Sequence, residues 1–289
     1  MSDFRQAWVQ AGPVKLHYLE WGTASETLVC LHGTSMQAHA WTQLARDLQP
    51  DFRVIALNMR GHGLSDAPKA APGTGYTVTQ YGDDLLHFAD ALKLGRFHLA
   101  GSSLGTQVAL HFAAHHPERT ARVVLSDPSL AIEQPAIDGY VRLHQSRPRS
   151  FATLQEARAF ARALPQRAGL SETMHALTEI GDFKKNNEGR FEWCYDLNGI
   201  LETFRNLRID QWPDVRRIKA PTLVMRAATS HVLSHDNALR LERELPNGTL
   251  VEIPNSSHTI WGDRPDLLSD LTRRFLLGQT VERKVVATA

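Results

Sequence analysis

Residues 101–105 read GSSLG, between a strand-like run, FHLA (97–100), and a helix-like run that opens at Leu104. A serine flanked by glycines two residues away on each side, at a strand-to-helix turn, can be presented as a nucleophile. The small flanks let the chain bend sharply and let the helix pack close. That spacing selects Ser103 rather than Ser102. Its hydroxyl would stand near the positive end of the helix. Acyl transfer also needs N–H donors aimed at the developing oxyanion. The segment LHGT (31–34) follows the strand-like TLVC and offers the Thr34 amide; the serine turn offers the Leu104 amide. A general base completes the minimum set. Among 14 histidines, His258 in PNSSHTIWGDRPD (254–266) lies on the loop after the last strand-like run, TLVEI, where it can reach back to the serine.

Several elements must bring these residues together. Strand-like runs VKLHYLEW (14–21), TLVCL (27–31) and FRVIAL (52–57) come first, with a helix-like stretch at 40–48 before the last of them. Apolar Leu85, Leu86, Phe88, Ala89 and Leu92 recur at helical spacing across 81–92, and Gly95 stops that helix. A helix at 104–115 and the strand-like ARVVLSD (121–127) follow. This alternation predicts a parallel sheet with right-handed crossovers. It breaks over 128–217, an arginine-rich stretch of helical character with no good strand, in which Thr153 and Glu156 have the spacing of a capping box. It resumes with PTLVMR (221–226), a helix at 235–245, TLVEIP (249–254) and a last helix at 265–277. The tail, VERKVVATA, is expected to fray. The chain therefore divides into an α/β core, 1–127 and 218–289, and a helical cap, 128–217. An insert in that place lies over the side of the sheet where ligands bind.

Together with NMRGHGLSD (58–66), these motifs resemble the α/β-hydrolase family over nearly the whole chain. The resemblance implies an α/β-hydrolase fold: a mostly parallel eight-stranded sheet flanked by helices, with a helical cap inserted after the sixth strand. It implies a serine hydrolase working through an acyl-enzyme, with Arg60, Gly61 and His62 structural. It also puts the usual acid at position 231, inside RAATSHVLS (226–234), where this chain has a histidine. His231 cannot hold a histidinium by charge. Three carboxylates are alternatives. Asp236 suits the first turn of the helix that follows, and Asp263 stands too close behind the base. Asp127 ends the strand after the nucleophile's own, and adjacent parallel strands deliver their tips to one rim. A minority of the family places its acid there, so Asp127 is the expected partner of His258 and Asp236 the runner-up.

Composition narrows the partners. Lys plus Arg is 32 and Asp plus Glu 31, which leaves no basic footprint for nucleic acid. Neither a membrane span nor a signal-peptide pattern is visible, and two cysteines make no disulfide framework. The expectation is a cytoplasmic monomer or homo-oligomer acting on a small molecule, with no cofactor and no metal. His111, His115 and His116 share a helix with no carboxylate close in sequence and are read as surface residues. The cap arginines are mostly solvated surface, but the motifs also resemble the (E)-2-(acetamidomethylene)succinate hydrolase branch. That likeness implies Arg142 and Arg162 as binders of a substrate carboxylate. Trp193 can line the substrate site or pack the cap. The bond broken stays open between ester, amide, lactone and activated C–C bond. Two rivals share the fold: a cofactor-independent oxygenase, and a non-catalytic ligand-binding relative.

Overall fold

The computed structural model describes residues 3–71, 75–130 and 132–285. Eight strands form one sheet: β1 (Arg5–Ala11), β2 (Val14–Trp21), β3 (Thr27–Leu31), β4 (Arg53–Leu57), β5 (Phe97–Ser102), β6 (Thr120–Ser126), β10 (Thr222–Ala227) and β11 (Gly248–Ile253). Three short strands lie apart from it: β7 (Ser150–Phe151), β8 (Phe183–Lys185) and β9 (Phe191–Trp193). The large sheet runs β1-β2-β4-β3-β5-β6-β10-β11. Strand β2 is antiparallel to both β1 and β4, and the remaining pairs are parallel. Both faces are covered, which is why β3 and β5 are buried throughout and read as unbroken apolar runs. One core contains Leu31, Leu99, Val108 and Phe112; the other contains Trp21, Trp41, Ile253 and Trp261.

The order sets up the site. Strand β4 pairs on one side of β3 and β5 on the other, so the order in which strands are added reverses between β3 and β5. Ligands of open α/β sheets bind at such a switch point, beyond the carboxyl ends of the strands. Register aligns the tips: Leu31 pairs with Gly101, Ser102 with Ser126, and Met225 with Ser126.

Segment 128–217 contributes no strand to the large sheet. Its helices include Gln134–Gln145, Leu154–Arg162, Glu172–Thr178 and Leu197–Arg205. The capping box holds: Thr153 Oγ1 accepts from the Glu156 amide while the Glu156 carboxylate accepts from the Thr153 amide. The expectation of no strand here is corrected. Strands β7, β9 and β8 form a small antiparallel sheet, held by Phe151, Phe183 and Trp193, whose rings pack within 6 Å of one another.

Three further expectations change. Strand β1 was not legible, because RQAWVQA is a largely exposed antiparallel edge with no apolar run. The described part of the tail, 281–285, does not simply fray, since the Lys284 amide donates to Leu250 and its carbonyl accepts from Glu252 beside β11; 286–289 lie outside the described residues. His111 and His115 do have a carboxylate beside them, since Asp214, distant in sequence, contacts both. Among the described residues no helix is long and apolar enough to cross a membrane.

Candidate active site

Ser103 leaves β5 with φ 51° and ψ −117°, a conformation L-residues rarely adopt, and helix Leu104–His115 starts at the next residue. The flanking glycines permit this by close approach. A Cβ on Gly105 would run into the Leu31 carbonyl oxygen, and one on Gly101 into the Gly105 carbonyl oxygen. On the facing loop, a Cβ on Gly33 would stand 3.2 Å from the Ser103 Cβ, so glycine lets that loop draw up to the serine.

The loop after β3 is held from behind by 58–66. His32 donates through Nδ1 to the Gly33 carbonyl (2.8 Å) and accepts at Nε2 from the Met59 amide (3.1 Å). His62 accepts from the Ser35 amide (3.3 Å), and Asn58 Oδ1 accepts from the Ala38 amide (2.6 Å). Burial holds both imidazoles neutral: His32 lies well below the usual histidine range and His62 is pushed down to about 4. Neutral rings are what this network needs, because each must accept at one nitrogen. Among the described residues the Thr34 and Leu104 amides have no acceptor within the protein; Leu104 is the first residue of its helix, where such donors are left over.

Asp127 follows β6, with φ 48° and no solvent exposure. Its carboxylate is fully engaged. Oδ1 accepts from the Ala227 amide at 2.9 Å, and Oδ2 accepts from Ser230 Oγ and from His258 Nδ1, each at 2.7 Å. A carboxylate can only accept, so Nδ1 of His258 carries the hydrogen and Nε2 is the basic nitrogen. Ser103 and His258 share the wall of one cavity. Among the described residues no hydrogen bond yet joins them, a contact that commonly closes only when substrate binds.

Two further residues hold this arrangement: Ser230, which sequence reasoning missed, and Asp263, which it weighed only as an alternative acid. Ser230 bonds Asp127 and accepts from the Val232 and Leu233 amides (3.2 and 2.9 Å). Asp263 reaches back to the loop that carries His258, where Oδ2 accepts from the Ser257 amide (2.7 Å) and hydroxyl (2.6 Å). Neither carries a sequence signal beyond its residue type. Asp236 lies exposed in the first turn of helix His235–Glu244 and contacts neither histidine. His231 stands edge-on to His258, ring centroids 5.6 Å apart, and desolvation, then the neighbouring imidazole, lowers its pKa.

The cavity has a volume of about 440 Å³. Gly33, Thr34, Ser103, His231 and His258 form its floor side, and Ile132, Tyr140, Leu143, Phe204, Leu207 and Trp261 supply apolar wall. Among the described residues no lysine or arginine lines it. The placement of Arg142 and Arg162 therefore differs from what the resemblance implied, and Trp193 takes the packing role of the two left open for it. Arg142 is exposed and away from the cavity. Arg162 is taken by Glu179 (2.5 Å) and Glu172 (2.9 Å). Trp193 packs between Phe183 and Tyr195 beside a different, more polar cleft. Among the described residues of segment 128–217, the buried guanidinium groups are those of Arg147, over the Trp193 ring, and Arg167, paired with Asp182. His144 lines the cavity instead. It donates to the Tyr140 carbonyl (2.9 Å) and accepts from Ser35 Oγ (3.2 Å), and burial pushes its pKa down to about 4.

Fold, strained serine turn and buried acid–imidazole pair define one class of protein. The chain belongs to the family described as alpha/beta hydrolase fold, whose model matches residues 26–265. It is 26% identical to a 2-(acetamidomethylene)succinate hydrolase of Mesorhizobium japonicum, over 93% of this chain and 94% of that one. It is 28% identical to a 2-hydroxy-6-oxononadienedioate/2-hydroxy-6-oxononatrienedioate hydrolase of Burkholderia vietnamiensis, over 91% of each. The crystal structure of E-2-(acetamidomethylene)succinate hydrolase superposes with a TM-score of 0.85 at 24% identity, covering 95% of this chain and 99% of that one. These relatives are hydrolases of small molecules.

Proposed function

We propose that this chain is a serine hydrolase that cleaves a small ester, amide, lactone or activated C–C bond through an acyl-enzyme. The observation that carries the reading is the 2.7 Å bond from His258 to a carboxylate with no solvent exposure, on the strand next to the strained Ser103. His258 Nε2 takes the Ser103 proton as Oγ attacks the carbonyl carbon. Asp127 fixes the imidazole tautomer and stabilises its positive form. The Thr34 and Leu104 amides receive the oxyanion, for which they have no competing acceptor. The imidazolium then gives its proton to the leaving group. Water, deprotonated by the same nitrogen, releases the acid and restores Ser103.

The cavity lining supports an uncharged, largely apolar acyl group. A carboxylate moved into that space would find no guanidinium or ammonium partner. Fluorophosphonate labelling tests the chemistry. Covalent modification is expected on the peptide containing Ser103 and absent in Ser103→Ala; equal labelling of the two proteins would overturn it. A panel of neutral esters and their half-acid counterparts tests the preference, with turnover of the neutral members expected. Oxygen uptake without hydrolysis would instead favour an oxygenase on the same residues.

A further inference from the structure

We infer that His111, His115 and Asp214 form a binding site for a borderline divalent transition metal of the zinc class, separate from the serine site. His111 and His115 are one turn apart on helix Leu104–His115, so both rings project from one side. Asp214 comes from helix Trp212–Arg217, the last helix before β10. Its Oδ2 lies 3.1 Å from His111 Nδ1 and its Oδ1 lies 3.1 Å from His115 Nε2. All three ligand atoms fall within 4.8 Å of one another.

The two 3.1 Å contacts involve different oxygens of Asp214, so a small turn of that carboxylate and of the rings would gather all three around one ion. With metal–nitrogen and metal–oxygen bonds of about 2.0–2.1 Å, neighbouring ligand atoms stand roughly 3.3 Å apart. Two imidazoles and a carboxylate are a donor set that zinc accepts, and the fourth position faces the solvent that reaches His115, whose side chain is 41% exposed. His111 is held in place: a Cβ on Gly82 of the adjoining helix would lie 2.8 Å from its Cδ2, so glycine is what makes room for the ring.

The site is not an accessory to acyl transfer. At 1.5 Å per residue, His111 lies about 12 Å along the helix from Ser103. What the metal would join is the helix behind the serine turn to the segment that returns from the cap.

The test is calorimetric titration of zinc into tag-free, chelator-treated protein near pH 7.5. One saturating equivalent is expected, with affinity lost more than about 100-fold in His115→Ala and in Asp214→Asn, beyond what loss of a supporting group costs. The exposure of His115 keeps folding out of question for that variant. Cobalt(II) should give the visible bands of four-coordinate metal in the parent protein and not in either variant. No saturable binding, or binding that both variants retain, would overturn the assignment.

Discussion

Ser103 and Asp127 each stand one residue beyond a paired couple, Ser102 opposite Ser126, and both bend through positive φ, 51° and 48°. Neighbouring strands thus raise a hydroxyl and a carboxylate at the same level of the sheet, and His258, from the loop after β11, bonds the carboxylate and lines a cavity with the hydroxyl. Geometry of this kind makes each participant separately testable.

If Asp127 orients the base, Asp127→Asn should lower kcat by about 10⁴, as loss of the orienting acid does in comparable triads. Asp236→Asn should stay within twofold of the parent. Steady-state kinetics on one neutral ester, with circular dichroism to confirm folding, makes the comparison. Similar activity in the two variants would end the assignment.

Ser230 and Asp263 act through other residues, so their loss should show in kcat more than in KM. Ser230→Ala removes a hydrogen bond to a charged group, worth about 1.5–3 kcal/mol, and roughly a tenfold to hundredfold fall in kcat is expected. Asp263→Asn, which keeps one acceptor oxygen, should recover much of what Asp263→Ala loses. An unchanged kcat in both alanine variants would leave the two residues as scaffolding alone.

The cavity walls make a contrasting forecast. Phe204→Ala should raise KM for neutral esters about tenfold or more, from lost apolar contact of about 1.5–3 kcal/mol. Arg142→Ala and Arg162→Ala should leave KM within twofold, because neither side chain lines the cavity. A large KM effect in either arginine variant would show that the cap moves those residues inward during turnover.

Acid should destabilise the fold in a defined window. His17, His39, His62 and His144 are each pushed down to about 4, burial being the first cause. The unfolded chain takes up these protons near pH 6.5, and the folded chain refuses them until about 4. Stability is therefore complete above about 6.5 and falls as pH drops toward 4. Melting temperatures measured across that interval should decline, and His62→Asn should shallow the slope. A flat profile would contradict the neutral histidine network behind the Thr34 loop.

How much of this could be read in advance follows from burial. TLVCL and FHLAGS announce themselves because both faces are covered, and the serine turn because its glycines are sterically compelled. Asp127 was reachable as a partner of His258 only by joining strand adjacency to the family resemblance, which marked position 231 and allowed an acid at this strand end. Strand β1 stayed hidden because an edge strand has no apolar run to show. The cap strands are two or three residues long and depend on aromatic contacts from far along the chain. The arginines misled because a guanidinium goes where its carboxylate is. Glu172 and Glu179 claim Arg162, and nothing in local sequence sets that choice. Asp214 is likewise 103 residues from His111, beyond the reach of any spacing rule.

The strip of backbone around Lys284 has a consequence for handling the molecule. An unpaired outer strand is a template on which a second molecule can add its own. By bonding to Leu250 and Glu252, that short strip occupies one acceptor and one donor that β11 would otherwise offer. Trimming the C-terminus back to the last helix would bare that part of the rim, and the shortened protein should self-associate with rising concentration more than the full chain does.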